Sequence, residues 1–137
     1  MLNQISVFAA NTNGALSQLT RVLADANINI YTMLANDSAE FGIIRLIVDD
    51  TTKAMQELRE QGYQCRNDKV LAVDMGSDEP GTLCSILDNL RRANVFVKYF
   101  YISFDRQSST PVAVFRTDEP ETETFLRGKG YNLLDRF

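Results

Sequence analysis

The 137-residue chain has no histidine, and only two cysteines and three prolines. Without histidine, neither a Ser-His-Asp nor a Cys-His catalytic arrangement can be assembled. Metal-ligand spacing is missing as well: there is no histidine, no paired cysteine and no calcium-loop pattern. Cys65 and Cys84 form no CxxC motif and no disulfide framework, and they are expected to be free thiols that pack as small core residues. Neither a Walker-type loop nor a GxGxxG run is present. These absences argue against an enzyme, and no cofactor or metal is expected.

Long apolar runs are also lacking. Nothing approaches the roughly 18 residues of a membrane span, and Met-Leu-Asn-Gln-Ile-Ser-Val-Phe carries no basic region before its apolar stretch. A soluble cytoplasmic protein without a membrane partner is the expectation. Positive charge is in deficit: 14 Lys and Arg against 18 Asp and Glu give a net charge of −4. The electrostatic footprint of a nucleic-acid binder is therefore missing. One stretch, Glu40-Phe41-Gly42-Ile43-Ile44-Arg45-Leu46, faintly resembles an RNA-recognition strand, yet lacks alternating aromatics and flanking basic residues.

What is present is a repeat. Gly14 matches Gly81, Leu16 matches Leu83, Asn27 matches Asn94 and Ile28 matches Val95, each 67 residues apart. Further on, Asp50 matches Asp118, Leu58 matches Leu126, and Gly62-Tyr63 matches Gly130-Tyr131, each 68 apart. A hairpin loop over 36–40 and 105–110 absorbs the drift. Two tandem units, 1–67 and 68–137, account for the chain.

The two units share one pattern. In the first, Gln4–Ala10 is a strand and Ala15–Ala26 an amphipathic helix built on Leu16, Leu19, Leu23 and Ala26. Ile28–Ala35 and Phe41–Val48 are strands joined by the turn-like Asn-Asp-Ser-Ala-Glu. Thr52–Gln61 is a helix stopped by Gly62, and Tyr63–Arg66 a last strand. In the second unit, strand Val70–Met75 precedes helix Gly81–Ala93, and Val95–Phe104 pairs with Pro111–Arg116. Helix Glu119–Lys129 is expected to be capped by Asp118, with Glu121 completing a capping box, and Tyr131–Leu134 closes the unit. The order is βαββαβ: an α+β, ferredoxin-like sandwich in two copies, each with an antiparallel four-stranded sheet. Val95–Ile102 is apolar on both faces, so the sister unit or a second chain is expected to cover the side away from the helices.

Chemistry concentrates in the strand-to-helix loops. A helix start offers backbone N–H groups without intrahelical partners, glycine lets a ligand approach, and the helix dipole favours an anion such as a carboxylate. The structural alternative is simple capping by Asn13, Asp78 and Glu79, with Pro80 as an ordinary early-helix residue. Asn11-Thr12-Asn13-Gly14 is neutral and donor-rich, whereas Ser77-Asp78-Glu79-Pro80-Gly81 carries two negative charges and suits an ammonium group better.

The ordered set of a strand, Asn-Gly-Ala-Leu or Pro-Gly-Thr-Leu, an amphipathic helix, then Asn-Ile-Asn-Ile-Tyr or Asn-Val-Phe-Val-Lys, resembles ACT domains over essentially the whole chain. The resemblance implies a small-molecule regulatory domain, most often an amino-acid sensor, pairing sheet-to-sheet or side by side as a homodimer. It places ligand at an inter-domain interface, where one unit's first loop meets the second strand of a neighbour: at Asn11, Thr12, Asn13, Gly14, Ala15 and Leu16, and at Ser77, Asp78, Glu79, Gly81, Thr82 and Leu83. From the second strands it adds Tyr31, Asn36, Tyr99 and Ser103. Asn13 stands where proline is common, and the acidic Asp78-Glu79 departs from a carboxylate receptor. Two such domains leave no room for an attached enzyme, so the implied role is a stand-alone sensor or a regulator of a metabolic enzyme in trans. The alternative is an interaction module without ligand, acting by association.

Overall fold

The computed structural model describes residues 1–36 and 41–137, with the backbone alone described at residue 41. Residues 37–40 of the expected first hairpin turn lie outside the described residues. In chain order the elements are β1 (Leu2–Ala10), α1 (Ala15–Asp25), β2 (Ile30–Ala35), β3 (Phe41–Val48), α2 (Thr51–Glu60), β4 (Gln64–Asp74), α3 (Thr82–Arg92), β5 (Tyr99–Phe104), β6 (Pro111–Arg116) and α4 (Thr122–Gly128). The chain divides into two compact units, Asn3–Asp68, and Lys69–Phe137 together with Met1–Leu2.

In the first unit the strands lie in the order β2-β3-β1-β4, and β3 pairs antiparallel with both β1 and β2. The period-two pattern of β1 sends Ile5, Val7 and Ala9 to one face, where they meet Leu19 and Leu23 of α1, Ala54 and Leu58 of α2, and Ile44 and Leu46 of β3. The second unit repeats the plan, with β4-β6-β5 in order and antiparallel. Its core gathers Leu71, Val73, Ile86, Leu90, Phe115, Leu126 and Leu133.

Several boundaries differ from expectation, each for a local reason. The strands expected from Ile28 and Val95 begin later, at Ile30 and Tyr99. Asn27 and Asn94 close α1 and α3 with φ near 57° and 58°, and Ile28 and Val95 donate back to Leu23 and Leu90 at 2.9 Å. This is the left-handed helix closure that asparagine tolerates, so Ile28 and Val95 serve the helix ends rather than the sheets. The closing strand Tyr131–Leu134 is reduced to one bridge, Leu133 with Val73, supported by Asp74 N–H to Asn132 and Leu134 N–H to Ala72, both 2.9 Å.

Tyr63–Arg66 and Val70–Met75, expected as separate strands, form one continuous β4. Asn67, Asp68 and Lys69 fall between the two expected strands, yet Asp68 is only 3% exposed. Its carboxylate accepts from the Ser6 hydroxyl at 2.7 Å and from Arg66 Nε at 2.8 Å, so a charge that normally marks a turn is held inside an extended segment. Cys84, expected in the core, is exposed on α3, while Cys65 is half-buried; helical periodicity gives the core to Ile86 and Leu90 instead.

The capping box expected before α4 does not form. The helix begins at Thr122, no side chain caps it, and Asp118 pairs with Lys98 at 2.7 Å. Pro120 disfavours helical backbone at Glu119, so a turn with Thr122 donating to Glu119 precedes the helix. At the equivalent α2, by contrast, Asp50 caps by accepting from Lys53 N–H at 3.1 Å. Asp50→Ala should therefore lower stability by about 1 kcal/mol in chemical denaturation, whereas Asp118→Ala should change it by less.

Candidate functional site

Both helices that follow the first strand of a unit begin at a glycine in left-handed conformation, Gly14 with φ 83° and Gly81 with φ 92°. Neither helix receives a side-chain cap. Capping by Asn13, Asp78 or Glu79 at these starts, the structural alternative, is thus not what the geometry shows. The turns are built alike: Ala15 N–H donates to Thr12 at 3.1 Å and Thr82 N–H to Glu79 at 3.3 Å. At α1 the N–H groups of Leu16 and Ser17 occupy the first turn, where a helix supplies no partner of its own.

A cavity of about 340 Å³ opens at the start of α1. Asn11, Thr12, Asn13, Gly14, Ala15, Leu16 and Ser17 line one side, and Ala9, Ala10, Ala35, Asn36, Gly42 and Ile44 the other. No charged side chain is among these residues. The space follows from sheet register. Ala9 lies directly across from Gly42, and Ala35 across from Ile44, all on the face that carries α1. Three small residues at one end of that face leave the helix start standing over a gap.

The second unit fills the equivalent positions differently. Met75 donates its N–H to Pro111 at 2.9 Å, as the counterpart of the Ala9–Gly42 pair, and Ile102 sits across from Ala113 where Ala35 faces Ile44. Methionine, proline and isoleucine thus replace alanine, glycine and alanine. Ser77, Asp78, Glu79 and Gly81 are exposed, with Thr82 and Leu83 half-buried on α3. Two carboxylates therefore precede α3, whereas none precedes α1.

The residues carried from the second strands separate. Asn36 joins the cavity; Tyr31, half-buried beside the register shift between Ile30 and Thr32, is not among its lining residues. Tyr99 and Ser103 share the face of β5 that holds Tyr101, opposite the face on which Phe100 meets Phe115 of the helix-side core. Their side chains therefore point away from the side that carries α3. Sequence reasoning missed Ala9, Ala10, Ser17, Ala35, Gly42 and Ile44. The one available signal was small residues near the ends of three strands.

Residues 1–128 match the family model described as an ACT domain pair. The chain belongs to the ACT domain pair family. The family is of the regulatory type. Among solved structures, protein BT0572 from Bacteroides thetaiotaomicron is similar with a TM-score of 0.84 and 29% identity, over 97% of this chain and 91% of that one. The ligand-free regulatory subunit of aspartate kinase from Thermus thermophilus matches in fold with a TM-score of 0.67 and 14% identity, over 91% and 87% of the two chains. The aspartokinase alpha and beta subunits match with 0.64 and 21%, again over 91% and 87%. Comparison of the sequence with curated proteins gave no match. Among the described residues of this ACT domain pair, no helix is long and apolar enough to cross a membrane.

Proposed function

We propose that this ACT domain pair is a regulatory unit that binds one small amino acid in the cavity at Gly14 and acts on a partner enzyme through altered association. The observation that supports this reading is the uncapped start of α1 standing over a gap lined by small and neutral polar residues. The ligand's carboxylate would accept from the N–H groups of Leu16 and Ser17, where the helix dipole adds to the attraction. Its ammonium group would donate to the amide oxygens of Asn11, Asn13 or Asn36, all of which line the cavity. A volume near the lower end of small-molecule sites, about 300–1,000 Å³, suits a single amino acid better than a nucleotide.

The loop before α3 keeps the glycine and the turn but holds Asp78 and Glu79 at the helix start, where a second carboxylate would be repelled. One ligand per chain is therefore the expected stoichiometry. Calorimetric titration against the twenty amino acids tests the reading. Saturable heat from one or a few of them at one site per chain is expected; silence from all twenty would leave the ligand-free interaction module as the better account.

A further inference from the structure

A second cavity, about 610 Å³, lies between α1 and α2 of the first unit and shares no residue with the Gly14 cavity. Arg21 and Asp25 line it from α1, and Lys53 and Glu57 from α2. Val22 and Ala26, half-buried against the core, give it an apolar floor. Among the described residues, none of the four charged side chains has an ion-pair or hydrogen-bond partner. On each helix the cation precedes the anion by four residues, which is the weaker order for pairing along a helix.

The two pairs are related by an approximate two-fold axis. Asn29 N–H donates to the Asp49 carboxylate and Asp49 N–H to the Asn29 carbonyl, both at 3.1 Å. The end of α1 therefore lies beside the start of α2, and the helices run in opposite directions. Asp25 is thus set with Lys53 at one end of the groove, and Arg21 with Glu57 at the other. Each end holds one charge of either sign, and the ends are one helical step of four residues, about 6 Å, apart.

The second unit engages the corresponding positions internally. Phe125, in place of Glu57, packs on the core, and Lys129, in place of Gln61, lies over its ring at 5.8 Å. Asn89, in place of Val22, donates to the Tyr131 hydroxyl at 2.7 Å, and Asp88, in place of Arg21, pairs with Arg91 at 3.5 Å. The four unengaged charges are therefore a feature of the first unit and not of the fold.

We propose that the α1–α2 groove binds a bis-amino acid, a molecule with an α-amino-acid head group at each end. One head group sets its carboxylate on Lys53 and its ammonium on Asp25; the other sets its carboxylate on Arg21 and its ammonium on Glu57. All four charges are then answered. A dicarboxylate would leave Asp25 and Glu57 facing charge of their own sign, a diamine would do the same to Arg21 and Lys53, and a single amino acid fills one end only. The spacing supports the class, since the two α-carbons of a cystine unit are about 5.5 Å apart. The apolar middle of such a molecule lies over Val22 and Ala26. The volume falls well within the range of small-molecule sites.

The proposal goes beyond the reading of the Gly14 cavity, and none of the twenty amino acids that test that cavity belongs to this class. Diaminosuberate, the dicarba analogue of cystine, is the probe, because cystine itself exchanges with thiols such as the exposed Cys84. Calorimetric titration of the full chain should show saturable binding at one site, unchanged in Gly14→Val. Suberate, which lacks the ammonium groups, and hexanediamine, which lacks the carboxylates, should each bind about fivefold more weakly or worse. Arg21→Glu should weaken diaminosuberate by a similar factor, and Arg21→Glu combined with Glu57→Arg should restore it, because that end regains one charge of each sign. The two ligand controls keep the test decisive if a variant fails to fold. No binding of diaminosuberate, equal binding of suberate or hexanediamine, loss of binding in Gly14→Val, or an unchanged affinity in Arg21→Glu would each overturn the proposal.

Discussion

Gly14→Val is expected to weaken amino-acid binding about a hundredfold or more in calorimetric titration, the loss of two charge-assisted hydrogen bonds, while the chain stays folded. A Cβ at Gly14 would meet nothing within 4 Å, so the substitution causes no clash. The strain lies in the backbone, because φ of 83° is a conformation that a β-branched residue resists. That strain is about 1–2 kcal/mol, and it relaxes by rotating the peptide that leads into α1. The rotation swings the first-turn N–H groups away from the cavity. Gly81→Val is the matched control, since Gly81 has φ of 92° and the same open surroundings. It should carry a similar stability loss and leave binding at the α1 site intact. Equal loss of binding in both variants would show that the ligand does not distinguish the two loops.

Phe115→Ala should cost about 3–5 kcal/mol, the range for truncating a buried aromatic residue. Phe115 is the largest fully buried side chain and sits on β6 across from both Leu71 and Phe100. Ile86, Leu90 and Leu126 of the helices close over it. No single neighbour can collapse into the space, because the ring is enclosed by two strands and two helices at once. Whole domains are stable by only about 5–15 kcal/mol, so the loss is a large fraction of what holds the second unit together. Chemical denaturation followed by far-ultraviolet circular dichroism measures it; a change below about 1 kcal/mol would mean that the cluster repacks around the gap.

The repeat and the apolar periodicities made the βαββαβ order visible in the sequence, because each element buries one face and the burial is periodic. Composition could not show where elements stop. Asn27 and Asn94 stood out as repeat landmarks just before expected strands, yet their left-handed backbone hands the next residue to the helix end. Asp68 fell in the break between two expected strands, because an aspartate in an extended, buried segment is rare and here depends on the partners Ser6 and Arg66. Asp118 looked like a cap because its fate depended on Lys98, twenty residues away in sequence.

At the site, the glycine-led loop was visible because it is local in sequence. The gap beneath it was not, since it depends on which small residues stand opposite one another across three strands. Ala9, Gly42 and Ala35 say little individually; their register makes the cavity. The same register separates the two units, which repeat the loop and differ in what lies under it.

The composition of β5 has a further consequence for the chain before it has folded. Tyr-Phe-Tyr-Ile-Ser-Phe is six residues of high strand propensity without charge, proline or glycine, the kind of segment that stacks into dry cross-β interfaces when many copies meet. During synthesis it emerges after the whole of the first unit and before its own partner strand β6. Until Pro111–Arg116 arrive, nothing in the second unit can shield it, so the interval between these two strands is when newly made chains are most prone to coalesce.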